Sequence, residues 1–316
     1  MRPIAANGLV TLAPPESVAR LPAAPGVYRF RDAQDRVLYI GRARLLRRRV
    51  ASYWTNLGDR DHLAPMVARI QRVEAVICAS EHEAAWLERN LLEPRLPPWN
   101  RTPGGQEVPV YIHLDERPTA PKLHVVHAAG TDAADGHFGP YLGGDKVRLA
   151  VAALHRVLPL AYTGTSLTGS QRDMAAELGV AAADRDRLVQ TLTAVLHRDD
   201  AALAAVRDDL RTRLGRAVDV LAFELAARLN TELDALDWIT CPQRVTVPDS
   251  PDCDIAGWAD GILVSFQIRS GRLRTWTQRA CTHAHARRHL SSTPAEWTDF
   301  ADRNAQLAAQ LARDPR

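Results

Sequence analysis

VLYIGRARLLRRRV, residues 37–50, sets an apolar, β-like run ending in Gly41 directly against an arginine-dense, helix-compatible segment. Five arginines (Arg42, Arg44, Arg47, Arg48 and Arg49) fall within eight positions of a chain whose formal net charge is only +3. Residues 20–60 carry ten arginines against Asp32, Asp35 and Asp59, so this segment is strongly basic and the remainder slightly acidic. A basic patch confined to one segment marks contact with a polyanion. An arginine run alone is equally a solvated helix face, so its neighbours must decide.

Working upstream, GVYRFR (26–31) and VLYIG (37–41) read as two strands joined by DAQD, a polar loop suited to a hairpin. If Asp32–Asp35 closes symmetrically, Arg31 faces Arg36, Phe30 faces Val37 and Tyr28 faces Tyr39. Both tyrosines then share one face, with Cβ atoms roughly 5 Å apart, and a one-residue slip destroys the pairing. Residues 42–53 follow as a helix in which Arg42 and Arg49, seven apart, project together. Leu45, Leu46 and Val50 supply its packed side.

Working downstream, a helical stretch at 62–71 precedes an apolar strand, VEAVICA (73–79). Ser80 and Glu83 then form an S-x-x-E capping box. Ala84, Leu87, Glu88 and Leu91 have the spacing of an apolar stripe, yet Glu88 interrupts it. A carboxylate there must be paired, bound to a metal or placed at the stripe's edge. A Pro-rich exit, EPRLPPWNRTPGG (93–105), is a boundary. VPVYIHLD (108–115) and KLHVVHA (122–128) read as a strand pair, and HFGPYLGGDKVRLAVAALHRVL (137–158) as a turn leading into a helix. Residues 170–240 are helical by pattern. CDIAGW, ILVSFQIR and RLRTWTQ form a small antiparallel unit with Ser270-Gly271 as a hairpin turn. A last helix begins at Thr293, with Pro294 at its first position and Glu296 completing a second capping box.

The totals fit a packed protein of about two domains, at 316 residues and 46% hydrophobic composition. No apolar run approaches the roughly 18 residues a membrane span requires. The N-terminus lacks a hydrophobic segment with a cleavage site, which points to a cytoplasmic protein with no membrane partner. Cys78, Cys241, Cys253 and Cys281 are scattered and read as free thiols. Lys122 and Lys146 are the only lysines, so arginine stands in for lysine throughout.

PGVYRFRDAQDRVLYIGRARLLRRRVASYW, followed by SEHEAAWLERNLLEPRLPPWN, closely resembles the GIY-YIG nuclease domain. More narrowly it is similar to the UvrC/Cho branch, which comprises the N-terminal domain of the excinuclease UvrC and a shorter relative. The match runs over residues 20–102, with GVY and YIG as the two halves of the name motif. The resemblance implies that Tyr28 and Tyr39 are the active-site tyrosines and that Arg49 contacts the scissile phosphate. It also implies that Glu88 holds the metal and Asn100 closes the site. Arg42 stands where the relatives usually carry lysine; an arginine supplies charge but does not readily release a proton. Arg44, Arg47 and Arg48 join Arg42 and Arg49 as candidates for nucleic-acid contact.

The chemistry is intelligible from the residues. Phosphodiester hydrolysis needs an activated water and neutralisation of charge on the phosphate and leaving oxygen. One carboxylate among cations points to a single Mg²⁺ or Mn²⁺ completed by water and phosphate oxygens. Tyr39 is then the candidate base, with Arg42, Arg49 and the metal favouring its phenolate.

The resemblance continues beyond the nuclease domain. FELAARLNTEL (223–233) is similar to the helical motif by which UvrC docks on UvrB, itself loaded by UvrA. Phe223, Glu224 and Ala227 are its partner-facing candidates, against packing on its own chain. Residues 158–180 lack the four cysteines that bind an iron–sulfur cluster in UvrC, so no cluster is expected. His285 and His289 have the spacing of helical zinc ligands but no partner pair, and Arg287 and Arg288 beside them favour a solvated or phosphate-facing surface.

The expected fold is α+β. A small GIY-YIG α/β nuclease domain (20–105), with a short sheet and flanking helices, follows a tail (1–19). A strand pair and helical region (106–215), a UvrB-docking helical motif (216–240) and a small β unit with a C-terminal helix (241–316) complete it. The expected activity is a metal-dependent single-strand incision of DNA in nucleotide excision repair. The alternatives are a non-catalytic accessory that binds DNA or UvrB, or a structure-specific nuclease outside that pathway.

Overall fold

A computed structural model of the chain describes residues 15–102, 107–128, 136–248 and 250–313; residues 1–14 of the tail and 103–105 of the Pro-rich exit lie outside these. The chain divides into two units, one of residues 1–106 with 242–316 and the other of residues 107–241. As the sequence implied, the architecture is α+β.

The first unit opens with β1 (Gly26–Arg31), β2 (Val37–Ala43), α1 (Leu46–Thr55), a short α2 (Ala64–Val67), β3 (Arg72–Ile77) and α3 (Glu81–Leu92). Its sheet has the order β2-β1-β3 and is antiparallel throughout. The central strand carries the bulkiest side chains: Tyr28 and Phe30 are fully buried, packed against Leu46, Val50, Tyr53 and Trp54 of α1.

The hairpin register differs from symmetric closure. Phe30 pairs with Tyr39 and Tyr28 pairs with Gly41, an offset of two residues, with an irregularity between Phe30 and Arg31. The loop closes late because Asp32 organises it, its carboxylate accepting hydrogen bonds from the backbone of Gln34 and Arg36 and from the Arg36 side chain. A shift of two preserves the face, so Tyr28 and Tyr39 still lie together. Gly41 is required opposite Tyr28, because a Cβ there would sit 2.6 Å from the Tyr28 hydroxyl.

Strand β2 also runs on through Ala43, which pairs with Gly26, so Arg42 belongs to the strand and not to the helix expected over 42–53. Helix α1 starts only at Leu46, where the Leu46 and Arg47 N–H groups donate to Ala24 and Pro22 carbonyls. Leu46 and Val50 pack as expected, whereas Leu45 stays exposed.

The second unit comprises β4 (Pro109–Asp115), β5 (Lys122–Val126), β6 (His137–Leu142), α4 (Gly144–Val157), α5 (Gly169–Glu177), α6 (Arg185–Leu196), α7 (Asp200–Asp219) and α8 (Phe223–Thr240). The HFGPYL segment is thus strand β6 and not a turn, in a sheet of order β5-β4-β6. One face of that sheet buries Val110, Ile112, Leu114, Leu123 and Tyr141 in a core shared with α4, α7 and α8.

The chain then returns to the first unit with β7 (Cys253–Ala259), β8 (Ile262–Arg269), β9 (Arg272–Ala280), α9 (His283–Leu290) and α10 (Thr298–Ala312). Ser270 and Gly271 form the two-residue turn, both at positive φ (51° and 68°). The capping box expected at Thr293 does not form. Its hydroxyl is engaged by the backbone of Ala256, accepting from N–H at 2.8 Å and donating to C=O at 3.1 Å.

That contact is one of three of a kind. Open strand edges expose unpaired N–H and C=O groups that must find partners. Asn304 of α10 satisfies Ile77 on β3 in the same two-way fashion, at 2.7 and 3.3 Å. Asn100 does so for Ile40 on β2. One short polar side chain therefore satisfies both backbone groups of one residue on each of these edges. Elsewhere in the unit, the nearly buried Arg29 of β1 donates to Glu74 and to the Trp276 carbonyl, with its guanidinium 3.8 Å from the Trp276 ring. This ties the first sheet to β9.

Candidate active site

Three tyrosines converge on one face of the first sheet. Tyr28 comes from β1, Tyr39 from β2 and Tyr53 from α1. The Tyr28 and Tyr53 hydroxyls are 2.8 Å apart, and the Tyr39 ring centroid lies 6.2 Å from each of the other two. Phe30 forms the floor, its centroid 4.9 Å from that of Tyr53. Arg49, one helical turn before Tyr53, brings its guanidinium to 5.9 Å from the Tyr53 ring and into hydrogen-bonding reach of Tyr28. Arg60 covers Tyr53 from another side at 4.9 Å.

Helix α3 delivers the carboxylate. Ser80 caps it, its hydroxyl accepting from the Glu83 N–H at 3.0 Å. The Glu83 side chain bonds the Ala79 and Arg244 backbone rather than closing the reciprocal box. Ala84 and Leu87 are buried on the stripe, and Glu88 emerges at its rim with its side chain 19% exposed. There it meets Arg42, whose Nε lies 3.4 Å from Glu88 Oε2. Glu88 is also close enough to Tyr39 to oppose its ionisation.

Of the residues implicated by the sequence, Tyr28, Tyr39, Arg42, Arg49 and Glu88 thus gather at one place. Arg42 arrives by the strand and pairs with the carboxylate, instead of sharing a helix face with Arg49. Asn100 lies behind the cluster, clamping the Ile40 backbone beside Tyr39. Arg44, Arg47 and Arg48 are exposed around the start of α1, outside the cluster's described contacts. Arg44 meets Glu81 at 3.2 Å, and Arg47 donates to the Leu21 carbonyl at 2.6 Å.

The electrostatics of the tyrosines depart from the expected phenolate. Burial pushes Tyr39 well above its ordinary value, and Tyr53 and Glu88 push the same way, while Arg49 pulls down. Tyr28 is raised too, chiefly by burial and then by Tyr53 and Tyr39. Arg49 stays firmly cationic, because the three tyrosines outweigh the effect of its partial burial. The chain by itself therefore holds phenols beside a fixed cation.

Tyr53 was not singled out in the sequence. The signal was present, because Arg49 and Tyr53 are four apart on one helix and so share a face. Among the described residues, no group of three or more His, Cys, Asp or Glu side chains is arranged to hold a metal ion. A lone carboxylate suits a hard divalent ion that keeps most of its waters, not a zinc-type cage. On α9, His285 Nδ1 lies 2.8 Å from the Thr282 hydroxyl and His289 Nε2 lies 3.2 Å from Arg279.

On α8, Phe223, Glu224 and Ala227 are exposed while Ala226 and Leu229 pack inward. Val220, Leu221 and Leu225 extend an exposed apolar surface around Phe223. Among the described residues, no helix is long and apolar enough to cross a membrane.

The chain is similar in sequence to known proteins. Residues 24–101 match the family described as the UvrC-like GIY-YIG domain. Over 275 residues the chain is 30% identical to UvrABC system protein C of Gloeobacter violaceus, covering 82% of this chain and 43% of that protein. The counterpart from Trichlorobacter lovleyi is 31% identical over 271 residues, covering 82% and 44%. The chain therefore spans less than half the length of these curated relatives. A crystal structure of the GIY-YIG N-terminal endonuclease domain of UvrC from Thermotoga maritima, bound to magnesium, is 27% identical. It covers 28% of this chain and all of that one, with a TM-score of 0.25. Residues 24–101 thus carry a UvrC-like GIY-YIG domain, in a chain that resembles UvrABC system protein C over the part the two share.

Proposed function

We propose that the chain is a divalent-metal-dependent endonuclease that hydrolyses one phosphodiester of DNA, and that it acts in nucleotide excision repair. The observation that carries this reading is the approach of the α3 carboxylate, Glu88, to Tyr39 and Arg42. A packing cluster of aromatics needs neither a carboxylate nor two guanidinium groups at its rim.

Glu88 would hold a single Mg²⁺ or Mn²⁺. Such an ion supplies Lewis acidity to the leaving oxygen and positive charge that offsets the upward pressure on Tyr39. The remaining work belongs to the side chains. Arg49, fixed against the tyrosines, balances charge accumulating on the phosphate. With the ion's charge in place Tyr39, its own proton released to solvent, would act as the phenolate that orients the attacking water and takes its proton, and the Tyr28–Tyr53 hydroxyl pair holds the hydrogen-bonded geometry around it. Arg42 sets the position of the Glu88 carboxylate. Exposed Arg44, Arg47 and Arg48 meet flanking phosphates as screened surface charges.

The exposed apolar side chains around Phe223 favour a protein partner in addition, and UvrB is the one proposed. The test is incision of a lesion-bearing duplex with Mg²⁺ or Mn²⁺, in the presence and absence of UvrA and UvrB. Glu88→Gln should abolish nicking and spare DNA binding. A wild-type chain inert under every one of these conditions supports the accessory role instead, and nicking independent of lesion and partners supports a nuclease outside excision repair.

A further inference from the structure

A cationic concavity lies within residues 107–241. It has a volume of about 470 Å³ and is lined by Lys122 at the start of β5, His155 and Arg156 of α4, Tyr162 and Arg228 of α8. Behind it Glu232 is fully buried. Arg156 makes a two-pronged contact with that carboxylate, Nε and Nη2 donating at 2.8 and 2.9 Å, and Arg228 Nε donates to it at 3.0 Å.

This network fixes two guanidinium groups without consuming them. Both carboxylate oxygens are used, yet Arg156 Nη1 and both terminal nitrogens of Arg228 have no acceptor among the described residues. Lys122 has no ion pair among them either. Three cations thus stand against one buried carboxylate. Burial is the main influence holding His155 toward its neutral form, with Lys122 and His124 adding to it. A structural ion pair would need only one arginine; the second, with Lys122, leaves an unbalanced positive hollow.

We propose that this pocket binds one nucleotide unit through its phosphate. Forked guanidinium groups match phosphate oxygens in geometry, and the lysine adds a point charge. The volume falls in the range of small-molecule sites and exceeds what a bare phosphate fills. The half-buried Tyr162 provides the aromatic surface on which a base or sugar rests. The unit comes either from a DNA strand or from a free nucleotide, and both present the same phosphate.

Calorimetric titration of the full chain with thymidine 5′-monophosphate, and with thymidine as the phosphate-free control, tests this. The monophosphate should bind and thymidine should not. Lys122→Gln and Arg228→Gln should each weaken the monophosphate about tenfold, the loss expected for one charge-assisted contact. Lys122→Gln removes no internal ion pair, so its effect is not one of folding. Equal binding of thymidine, no binding of the monophosphate, or an unchanged affinity in Lys122→Gln overturns the proposal. Displacement of the bound monophosphate by oligothymidylate assigns the pocket to a strand; failure to displace it assigns the pocket to free nucleotide.

Discussion

Asn100 grips the backbone of Ile40 from both sides: its carbonyl oxygen accepts the Ile40 N–H at 3.0 Å and its amide donates to the Ile40 carbonyl at 2.7 Å. Ile40 stands between Tyr39 and Gly41, so this clamp sets the strand from which the proposed base projects. In the proposed mechanism it would act through that strand, as a positioning residue. Asn100→Ala should cost about 1–3 kcal/mol of stability, the range for orphaning buried backbone groups. Incision should fall by more than the folded fraction does, because Tyr39 loses its fixed position. Asn100→Asp keeps the acceptor and loses the donor, so it should lie between. Thermal unfolding and single-turnover nicking on the same samples check both; equal rates in wild type and Asn100→Ala would dismiss the clamp.

A second constraint acts across the hairpin. A Cβ on Gly41 would lie 2.6 Å from the Tyr28 hydroxyl and 2.7 Å from both Tyr28 Cζ and Tyr39 Cε1. Gly41→Ala should therefore displace two aromatic rings, costing about 1–3 kcal/mol as overpacking, and should abolish nicking. Removing the Tyr28 hydroxyl does not relieve the ring contacts, so Tyr28→Phe should fail to rescue it. Rescue by that second change would show that the hydroxyl alone sets the fit.

The outline of this site was legible because local patterns encode it. Two short strands around DAQD, a stripe-breaking Glu88 and the turn at Ser270-Gly271 are all written within a few residues of where they act. What escaped depends on side-chain contacts and packing that the residue pattern does not display. The register at Tyr28 followed from Asp32 organising its loop and from the space Gly41 leaves. Arg42 became a strand residue because Ala43 pairs with Gly26. Thr293 gave up its capping role to Ala256, a partner 37 positions away. The direction of the Tyr39 shift depends on burial beneath α1, which charge counting along the chain does not register. Tyr53 alone was recoverable by spacing, through its helical relation to Arg49.

Acid should weaken the first unit from beneath its sheet. Burial pushes the Glu74 carboxyl up, but Arg29 and Arg31 outweigh it and hold it below the ordinary range. Asp32 is brought down to about 2 by Arg36 and the loop backbone, against the opposing effect of its own burial. Both carboxyls thus bind protons more weakly folded than unfolded. Their stabilisation is complete above the unfolded value near 4 and is lost as pH falls through the depressed folded values, about 2 for Asp32. Glu74→Gln removes one source of this dependence and leaves Arg29 buried without its counter-charge, at a cost of about 3–5 kcal/mol. Denaturant midpoints measured from neutral pH downward should show a shallower acid slope in Glu74→Gln than in the wild type. Parallel slopes would refute the assignment.

Arg42 and the proposed metal compete for one carboxylate. With Arg42 Nε at 3.4 Å from Glu88 Oε2 on a partly exposed rim, the pair is screened and worth about 1 kcal/mol or less. A divalent ion entering at Glu88 must share the carboxylate with this cation and bear its repulsion. Arg42→Gln should therefore tighten Mn²⁺ binding by a few-fold, about what a screened pair of this strength yields. It should also lower the nicking rate at saturating metal, because the carboxylate loses its positioning partner. Arg42→Lys keeps the charge and should leave metal affinity near the wild-type value. Manganese titration monitored by water-proton relaxation gives affinity without reference to turnover, so the two effects separate. Weaker metal binding in Arg42→Gln would mean that the guanidinium supports the ion's site instead of opposing it.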